Sequence, residues 1–229
     1  MNLLIQFGKS RLLALLLVFL SNAILCCSFP THEIADRSDS FEKRAPNVYQ
    51  AFLEDLHSSI TVDVPQGQEK FLAFGSGASI IGSDGFTGCI GLIIGGHDGV
   101  IMAHYANSVS DLKRAADKLP GLINNHKGLL GGAQAYLFSE VHPHTDTWES
   151  EESNQKLESI VHSTLGIDTT RVKYIQPENL IDFDNFNPDC FPEIIYGGIL
   201  VKHPGGQRGG WQGFFVDSVL QKAIFEGGS

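Results

Sequence analysis

Apolar and polar residues follow two different periods along the chain, and these periods predict which segments form strands and which form helices. Short apolar or alternating segments predict strands over 61–64, 70–74, 133–141, 171–176, 193–202 and 211–216. Helical spacing predicts helices over 45–59, 108–122 and 149–165, and a last helical turn over 219–225. We expect Pro120 and Gly121 to end the second helix and a loop to follow at 124–128.

The order of these elements predicts the class of fold. Strands cluster first, and helices and strands alternate afterwards, which is typical of an α+β fold layered like an α/β protein. We expect a mixed, mainly antiparallel sheet or sandwich with a central glycine-rich hairpin and with helices packed outside it. The segment 177–192 is long for a loop in a compact domain and is therefore a candidate lid or tether.

The predicted hairpin lies in the glycine-rich middle of the chain. One strand begins at Cys89, and the next strand contains His104. An even-length turn at 96–99 pairs Gly91 with His104 and Cys89 with Ala106. Because side chains alternate between faces with period two, Cys89 and His104 then lie on one face as diagonal neighbours. A two-residue turn slides the register by two positions and keeps the shared face, whereas an odd-length loop removes it.

The first residues have the pattern of a secretory leader. Lys9 and Arg11 precede the apolar run Leu12–Leu20, and small residues follow it. The run is short for a membrane span, which needs about 20 residues. We therefore expect a cleaved signal peptide over residues 1–28 and a secreted protein.

A second processed segment is expected after the leader. Residues 29–44 are polar, have neither period and end in Lys43-Arg44, a dibasic pair typical of kexin-type processing sites. We expect a pro-segment over 29–44 and a single globular domain over 45–229. No second long apolar run follows, so no membrane association is expected after the leader is removed.

Charge and motifs exclude several kinds of partner. The formal net charge is -10 at pH 7, and no basic patch suits a phosphate backbone, so we expect no nucleic-acid partner. The glycines do not form a phosphate-binding loop. His142 and His144 stand near Asp146, but Pro143 after a strand favours a turn over a metal site. We expect neither a metal nor another cofactor.

The cysteines allow two interpretations. Cys26 and Cys27 lie in or beside the leader, which leaves Cys89 and Cys190. Two cysteines in a secreted protein most simply form a disulfide. The chain would then be a secreted, non-enzymatic protein that binds a host or cell-surface partner through the loop 177–192. A third hypothesis is a carbohydrate-active enzyme with paired carboxylates. Its candidate acids lie in and beside that loop: Asp182, Asp184, Asp189 and Glu193. In so acidic a chain, acidic residues of a loop are usually surface residues in contact with water.

The other interpretation of Cys89 is a catalytic thiol. Cysteine catalysis needs a base, a group that orients the base, and donors for the oxyanion. Gly88 leaves the backbone beside Cys89 unshielded, and His104 is the candidate base on the same face. Thr87 and Ser83 lie just upstream and are candidates to orient the imidazole or to donate to the oxyanion.

Gly88-Cys89, followed fifteen positions later by His104, resembles the catalytic hairpin of the cysteine deamidases. These are the catalytic domains of the cytotoxic necrotizing factors and the chemoreceptor glutamine deamidases. The order of the downstream elements also resembles the chemoreceptor deamidases: a strand that begins at 131–134, a helix that ends at 165–167, and the strand 172–175. The resemblance covers roughly residues 71–176.

The resemblance implies that Cys89 attacks the side-chain carboxamide of a protein glutamine and that His104 activates the thiol. Ammonia leaves, and water or an amine resolves the thioester. The third member varies in the family, and Thr87 is our candidate for it. The hypothesis is thus a secreted, deamidase-like hydrolase that acts as an effector, virulence factor or toxin on a host protein. Action inside a host cell would reconcile a secretory leader with a free thiol.

Overall fold

The computed structural model describes residues 50–176, 197–206, 210–216 and 223–227. Helix α1 covers residues 50–56. The elements that follow are β1 (Thr61–Asp63), β2 (Gln68–Ala73), β3 (Ser79–Phe86), β4 (Cys89–Gly95), β5 (Gly99–Ala106), α2 (Val109–His126), a 3₁₀ turn (Lys127–Leu129), β6 (Gln134–Glu140), α3 (Glu151–Leu165), β7 (Thr169–Tyr174), β8 (Gly197–His203), β9 (Trp211–Val216) and β10 (Ala223–Gly227). The predicted signal peptide, the pro-segment and the loop 177–192 with Cys190 lie outside the described residues.

The described strands form two five-stranded sheets. The first sheet has the order β1-β3-β8-β9-β10 and the second β2-β5-β4-β6-β7. Strand β1 pairs with β3 and β6 pairs with β7 in parallel, and the other pairs are antiparallel. The predicted α+β fold with mixed, mainly antiparallel sheets is therefore confirmed.

Three hydrophobic clusters define the layers. Between the two sheets, side chains of the first sheet meet side chains of the second: Ile81, Phe86, Ile199 and Phe215 pack with Cys89, Ile93, Met102 and Phe138. The opposite face of the second sheet packs against α2 and α3 through residues such as Leu92, Leu119 and Leu157. Phe52 and Leu56 of α1 cover the outer face of the first sheet. The helices thus pack outside a two-sheet sandwich, as the sequence predicts.

The central hairpin has the predicted register. Strands β4 and β5 pair Gly91 with His104 and Cys89 with Ala106. The turn closes with a 2.9 Å hydrogen bond from the Gly96 amide to the Gly99 carbonyl. Every residue of β4 is buried, since one of its faces meets the other sheet and the opposite face meets the helices.

Helix α2 starts just after β5 and is tied to it. The Ser108 side chain caps the helix by accepting the amide proton of Asp111 at 3.2 Å. The Asp111 carboxylate in turn accepts the amide proton of Ala106 at 2.8 Å. The end of the strand that contains His104 is thereby held against the helix.

Two predictions about helix ends were wrong. Helix α2 continues through Pro120 and Gly121 to His126, where a loop was expected. Proline inside a helix removes one hydrogen bond and crowds the carbonyl four residues earlier, at a local cost of about 3 kcal/mol. Leu119 and Ile123 on either side of it are fully buried, and their packing offsets this cost. Residues 223–225, expected in a helical turn, belong to β10, because backbone pairing with β9 overrides a weak local preference.

The described helices include none that is both long and apolar enough to cross a membrane.

Candidate functional site

Cys89 and His104 lie on one face of the second sheet, the face that meets the first sheet. Cys89 begins β4, and His104 lies near the end of β5, so the register makes them diagonal neighbours. Both residues are buried, with 4% and 2% of their surfaces exposed. Cys89 is a free thiol. A buried thiol and a buried imidazole on one face are the two groups that cysteine catalysis requires first.

Hydrogen bonds determine which nitrogen of His104 bears the proton. The Ser83 hydroxyl donates to the Val64 carbonyl at 2.6 Å. A hydroxyl has only one proton, so at its 2.8 Å contact with His104 Nδ1 it must accept. Nδ1 is therefore the protonated nitrogen. Among the described residues Nε2 has no hydrogen-bond partner, and its lone pair is available to take a proton.

An aromatic ring holds the plane of the imidazole. The Phe86 ring stacks on His104 at 4.0 Å between centroids and 13° between planes. Gly91, opposite His104 in the hairpin, leaves space for this ring, because a Cβ there would lie 2.9 Å from Phe86 Cε1. Ser83 and Phe86 both belong to β3 of the first sheet, so the first sheet orients a base that the second sheet contributes.

Burial sets the protonation of the pair. It lowers the pKa of His104 to about 4, although Asp111 opposes part of the shift. Burial also raises the pKa of the Cys89 thiol, and the charge of Asp111 adds to the rise, against a lowering effect of the Thr87 backbone. At neutral pH the site therefore contains a thiol and a neutral imidazole, and the thiolate forms only when His104 accepts the thiol proton.

Residues at the ends of two parallel strands hold the backbone around Cys89. The Tyr174 hydroxyl donates to the Cys89 carbonyl at 2.5 Å, and the Gln176 amide donates to the Glu140 carboxylate. Gly88 has φ of 69° and lies against Gln176, so the approach to Cys89 requires glycine at this position. The sequence analysis missed Tyr174, Glu140 and Gln176. The only signal for them was that the ends of neighbouring parallel strands meet at one edge of a sheet.

A carboxamide lies directly beside the thiol. Gln66, in the turn between β1 and β2, donates from Nε2 to Cys89 Sγ at 3.4 Å. The Gly67 amide donates to the His104 carbonyl at 2.6 Å, and the Arg114 guanidinium donates to the Gly67 carbonyl. The turn is thus bound to the strand that contains His104. Sequence analysis placed this segment between the predicted strands 61–64 and 70–74 and did not identify Gln66 as a site residue.

The structure places the two upstream hydroxyl residues differently. Thr87 is exposed, and its backbone carbonyl accepts from Cys89 Sγ at 3.8 Å. The hydroxyl that contacts His104 belongs to Ser83, which is 1% exposed. Within the described part of the chain, His, Cys, Asp and Glu side chains form no group of three or more that could hold a metal ion.

No protein-family model matches the sequence, and no curated protein matches it either.

Proposed function

We propose that this protein is a secreted, cysteine-dependent amidohydrolase, and specifically a deamidase of glutamine side chains in proteins. The observation on which the proposal rests is the arrangement of Cys89, His104 and Ser83. A free thiol shares a face with a buried histidine, and Ser83 holds that histidine in the tautomer whose Nε2 is unprotonated.

Each step of amide hydrolysis has a group available to it. His104 Nε2 takes the thiol proton, and Cys89 Sγ attacks the amide carbon of the substrate. The proton then passes from His104 to the leaving nitrogen, so that ammonia departs and a thioester remains. Water, deprotonated by the same Nε2, hydrolyses the thioester and restores the thiol. Ser83 stabilises the charged imidazole of each transition state by accepting from Nδ1.

The β1–β2 turn is the side from which a substrate can approach. Cys89 is buried, but Gln66 in this turn is exposed and still contacts Sγ. A glutamine side chain from another protein is long and narrow, and it would reach the thiol along the path that the Gln66 side chain follows. We therefore propose a protein substrate with a glutamine in an exposed, extended segment.

The leader and the family resemblance support a role outside the producing cell. Residues 1–28 have the pattern of a signal peptide, and Lys43-Arg44 has the pattern of a processing site. The hairpin from Gly88 to His104 resembles the one in the toxin deamidases. We propose an effector or toxin that acts on a host protein.

The proposal predicts that Cys89→Ser and His104→Ala abolish ammonia release. The purified protein is incubated with a protein extract of a candidate host cell, released ammonia is assayed enzymatically, and new glutamates are located by peptide mapping. Loss of a nucleophile or base typically lowers the reaction rate by about two to four orders of magnitude or more. Full activity in Cys89→Ser would end the proposal.

Two control variants test whether the loss is specific. His97 lies in an exposed turn, so His97→Ala is expected to retain activity. Cys190→Ser is expected to retain it as well, because the mechanism does not use Cys190. In the disulfide-stapled alternative, a non-reducing peptide map joins Cys89 to Cys190, and that result would contradict an enzyme with Cys89 as its nucleophile.

A further inference from the structure

Gln66 presents the chemical group that a glutamine deamidase attacks. Gln66 is exposed, so water can hydrate its carboxamide. Its Nε2 nevertheless contacts the buried sulfur of Cys89 at 3.4 Å. Holding a glutamine side chain in one conformation costs rotamer entropy. A contact made against this cost places a primary amide beside the nucleophile.

The turn that contains Gln66 is anchored on both sides. Pro65 restricts the backbone before Gln66, and Gly67 after it has φ of 75°, a conformation that favours glycine. The Gly67 amide binds the His104 carbonyl at 2.6 Å, and Arg114 binds the Gly67 carbonyl. The backbone of Gln66 is therefore fixed relative to Cys89, and side-chain rotation is the main freedom left to its carboxamide.

Rotation of the side chain is enough to bring the reacting atoms together. The amide carbon Cδ is bonded to Nε2 at about 1.33 Å, so it lies no more than about 4.7 Å from Sγ. Attack needs a separation of about 3 to 3.5 Å. A change in the outer torsions of Gln66 covers this difference without any movement of the backbone.

The candidate base lies on the same face of the second sheet as Cys89. His104 is 2% exposed, and its Nε2 has no hydrogen-bond partner among the described residues. An unpartnered buried nitrogen is uncommon, because it has lost its hydration and has gained no hydrogen bond in return. The transfer of a proton from the neighbouring thiol would satisfy it.

We infer that Cys89 reacts with Gln66 of its own chain, releases ammonia and forms an internal thioester between Cys89 Sγ and Gln66 Cδ. The inference rests on the proposed function, because it uses the same nucleophile and base. The thiol proton passes to His104 Nε2, the S–C bond forms, and the C–N bond breaks. The leaving nitrogen takes the proton from His104 and departs as ammonia, so no oxidant or reductant is needed.

The thioester gives the protein a second activity. Water converts it to a glutamate side chain at position 66 and a free thiol. A primary amine attacks it instead to form an amide, and the protein then becomes covalently attached to the amine. The chemical class of the ligand is therefore a primary amine, such as a lysine side chain on a surface that the secreted protein meets.

The test is a peptide map of the purified full chain with and without methylamine as the probe. In the wild-type protein the peptides that contain Gln66 and Cys89 are expected to be linked and lighter by one ammonia, or to contain glutamate after hydrolysis. With methylamine, the methylamide of residue 66 is expected. Gln68, two residues away and exposed, is the internal control and should remain glutamine.

Two variants complete the test. Cys89→Ser is expected to lose the conversion at residue 66 completely. If Cys89→Ser does not fold, Gln66→Asn serves instead, because it changes an exposed residue and withdraws the amide carbon by one methylene group. Cys89 should then titrate as a free thiol from the start, whereas in the wild-type protein that thiol appears only as water or methylamine opens the thioester.

The outcomes separate this inference from the proposed function. If Gln66 remains glutamine while the protein releases ammonia from added protein, the inference is overturned and the deamidase survives. If residue 66 is converted in a Cys89-dependent way and added protein is untouched, the internal thioester stands and the deamidase proposal fails. If neither reaction occurs, both are overturned.

Discussion

Burial of His104 and Cys89 determines what each residue can do. An imidazole in water has an ordinary pKa of 6.5, whereas burial between the two sheets lowers the pKa of His104 to about 4. The same burial raises the pKa of the Cys89 thiol. The pair is therefore suited to transfer a proton during attack, and it is unsuited to exist as a thiolate and imidazolium pair at rest.

The lowered pKa of His104 predicts a pH-dependent stability. The unfolded chain binds a proton at His104 near its ordinary pKa of 6.5, and the folded chain does so only near pH 4. The contribution of the neutral imidazole to the free energy of unfolding is thus fully present above about pH 6.5. It falls by on the order of 3 kcal/mol as the pH is lowered to about 4. Urea unfolding at about pH 7 and pH 4.5 measures the change.

The control for this prediction is His104→Gln, which does not titrate and retains a donor for Ser83. Between these two pH values the free energy of unfolding should fall in both proteins, but by on the order of 2 to 3 kcal/mol less in the variant. The other histidines contribute equally to both proteins and cancel in this difference. An identical pH dependence in the two proteins would show that His104 titrates normally.

The sequence alone could not decide which hydroxyl residue contacts the imidazole of His104. Thr87 and Ser83 are both upstream hydroxyl residues, and nothing in their spacing from Cys89 favours one of them. Ser83 belongs to β3 in the first sheet, and His104 belongs to β5 in the second. Their 2.8 Å contact exists only because the two sheets pack face to face.

At the scale of elements, β4 depends on glycine where the sheets approach closely. A Cβ at Gly95 would lie 2.3 Å from Trp211 Cζ2 and 2.4 Å from Trp211 Cε2. Trp211 is 1% exposed, so its ring has no space into which it could move. Gly95 thus sets the distance between the sheets near the turn of the hairpin, where it pairs with Val100.

Gly95→Ala is therefore expected to destabilise the fold by about 1 to 3 kcal/mol, the usual cost of overpacking a core. The matched control is Gly121→Ala. Gly121 is an exposed residue inside α2 with no atom within 4 Å of an added Cβ. Alanine there should stabilise the protein by up to about 1 kcal/mol, because it lowers the entropy of the unfolded chain. Urea unfolding of both variants provides the measurement, and equal effects in both would contradict the packing argument.

At the scale of the whole molecule, the described elements all belong to one unit. The chain divides into two units, and the one that comprises Ala45–Leu180 and Ile194–Ser229 contains α1 to α3 and β1 to β10. Its three hydrophobic clusters join both sheets and all three helices. Such a core is expected to unfold cooperatively.

A chain that begins at Ala45, the predicted product of processing, should therefore fold. Its melting temperature should lie within about 4 °C of that of the full chain, which corresponds to a change of about 1 kcal/mol for a domain of this size. Circular dichroism during heating tests this prediction. A shorter chain without a cooperative transition would show that residues 1–44 are needed for the fold.

The sequence by itself determined the local features of this protein. The period of two along a strand placed Cys89 and His104 on one face, and helical spacing identified α2 and α3, because these patterns depend only on neighbouring residues. Tertiary structure decided that Ser83 meets His104, that Gln66 meets Cys89 and that the last residues of the sheet form β10. These contacts join segments distant in sequence, and only the packing of the two sheets and the binding of the β1–β2 turn to β5 determine their distances.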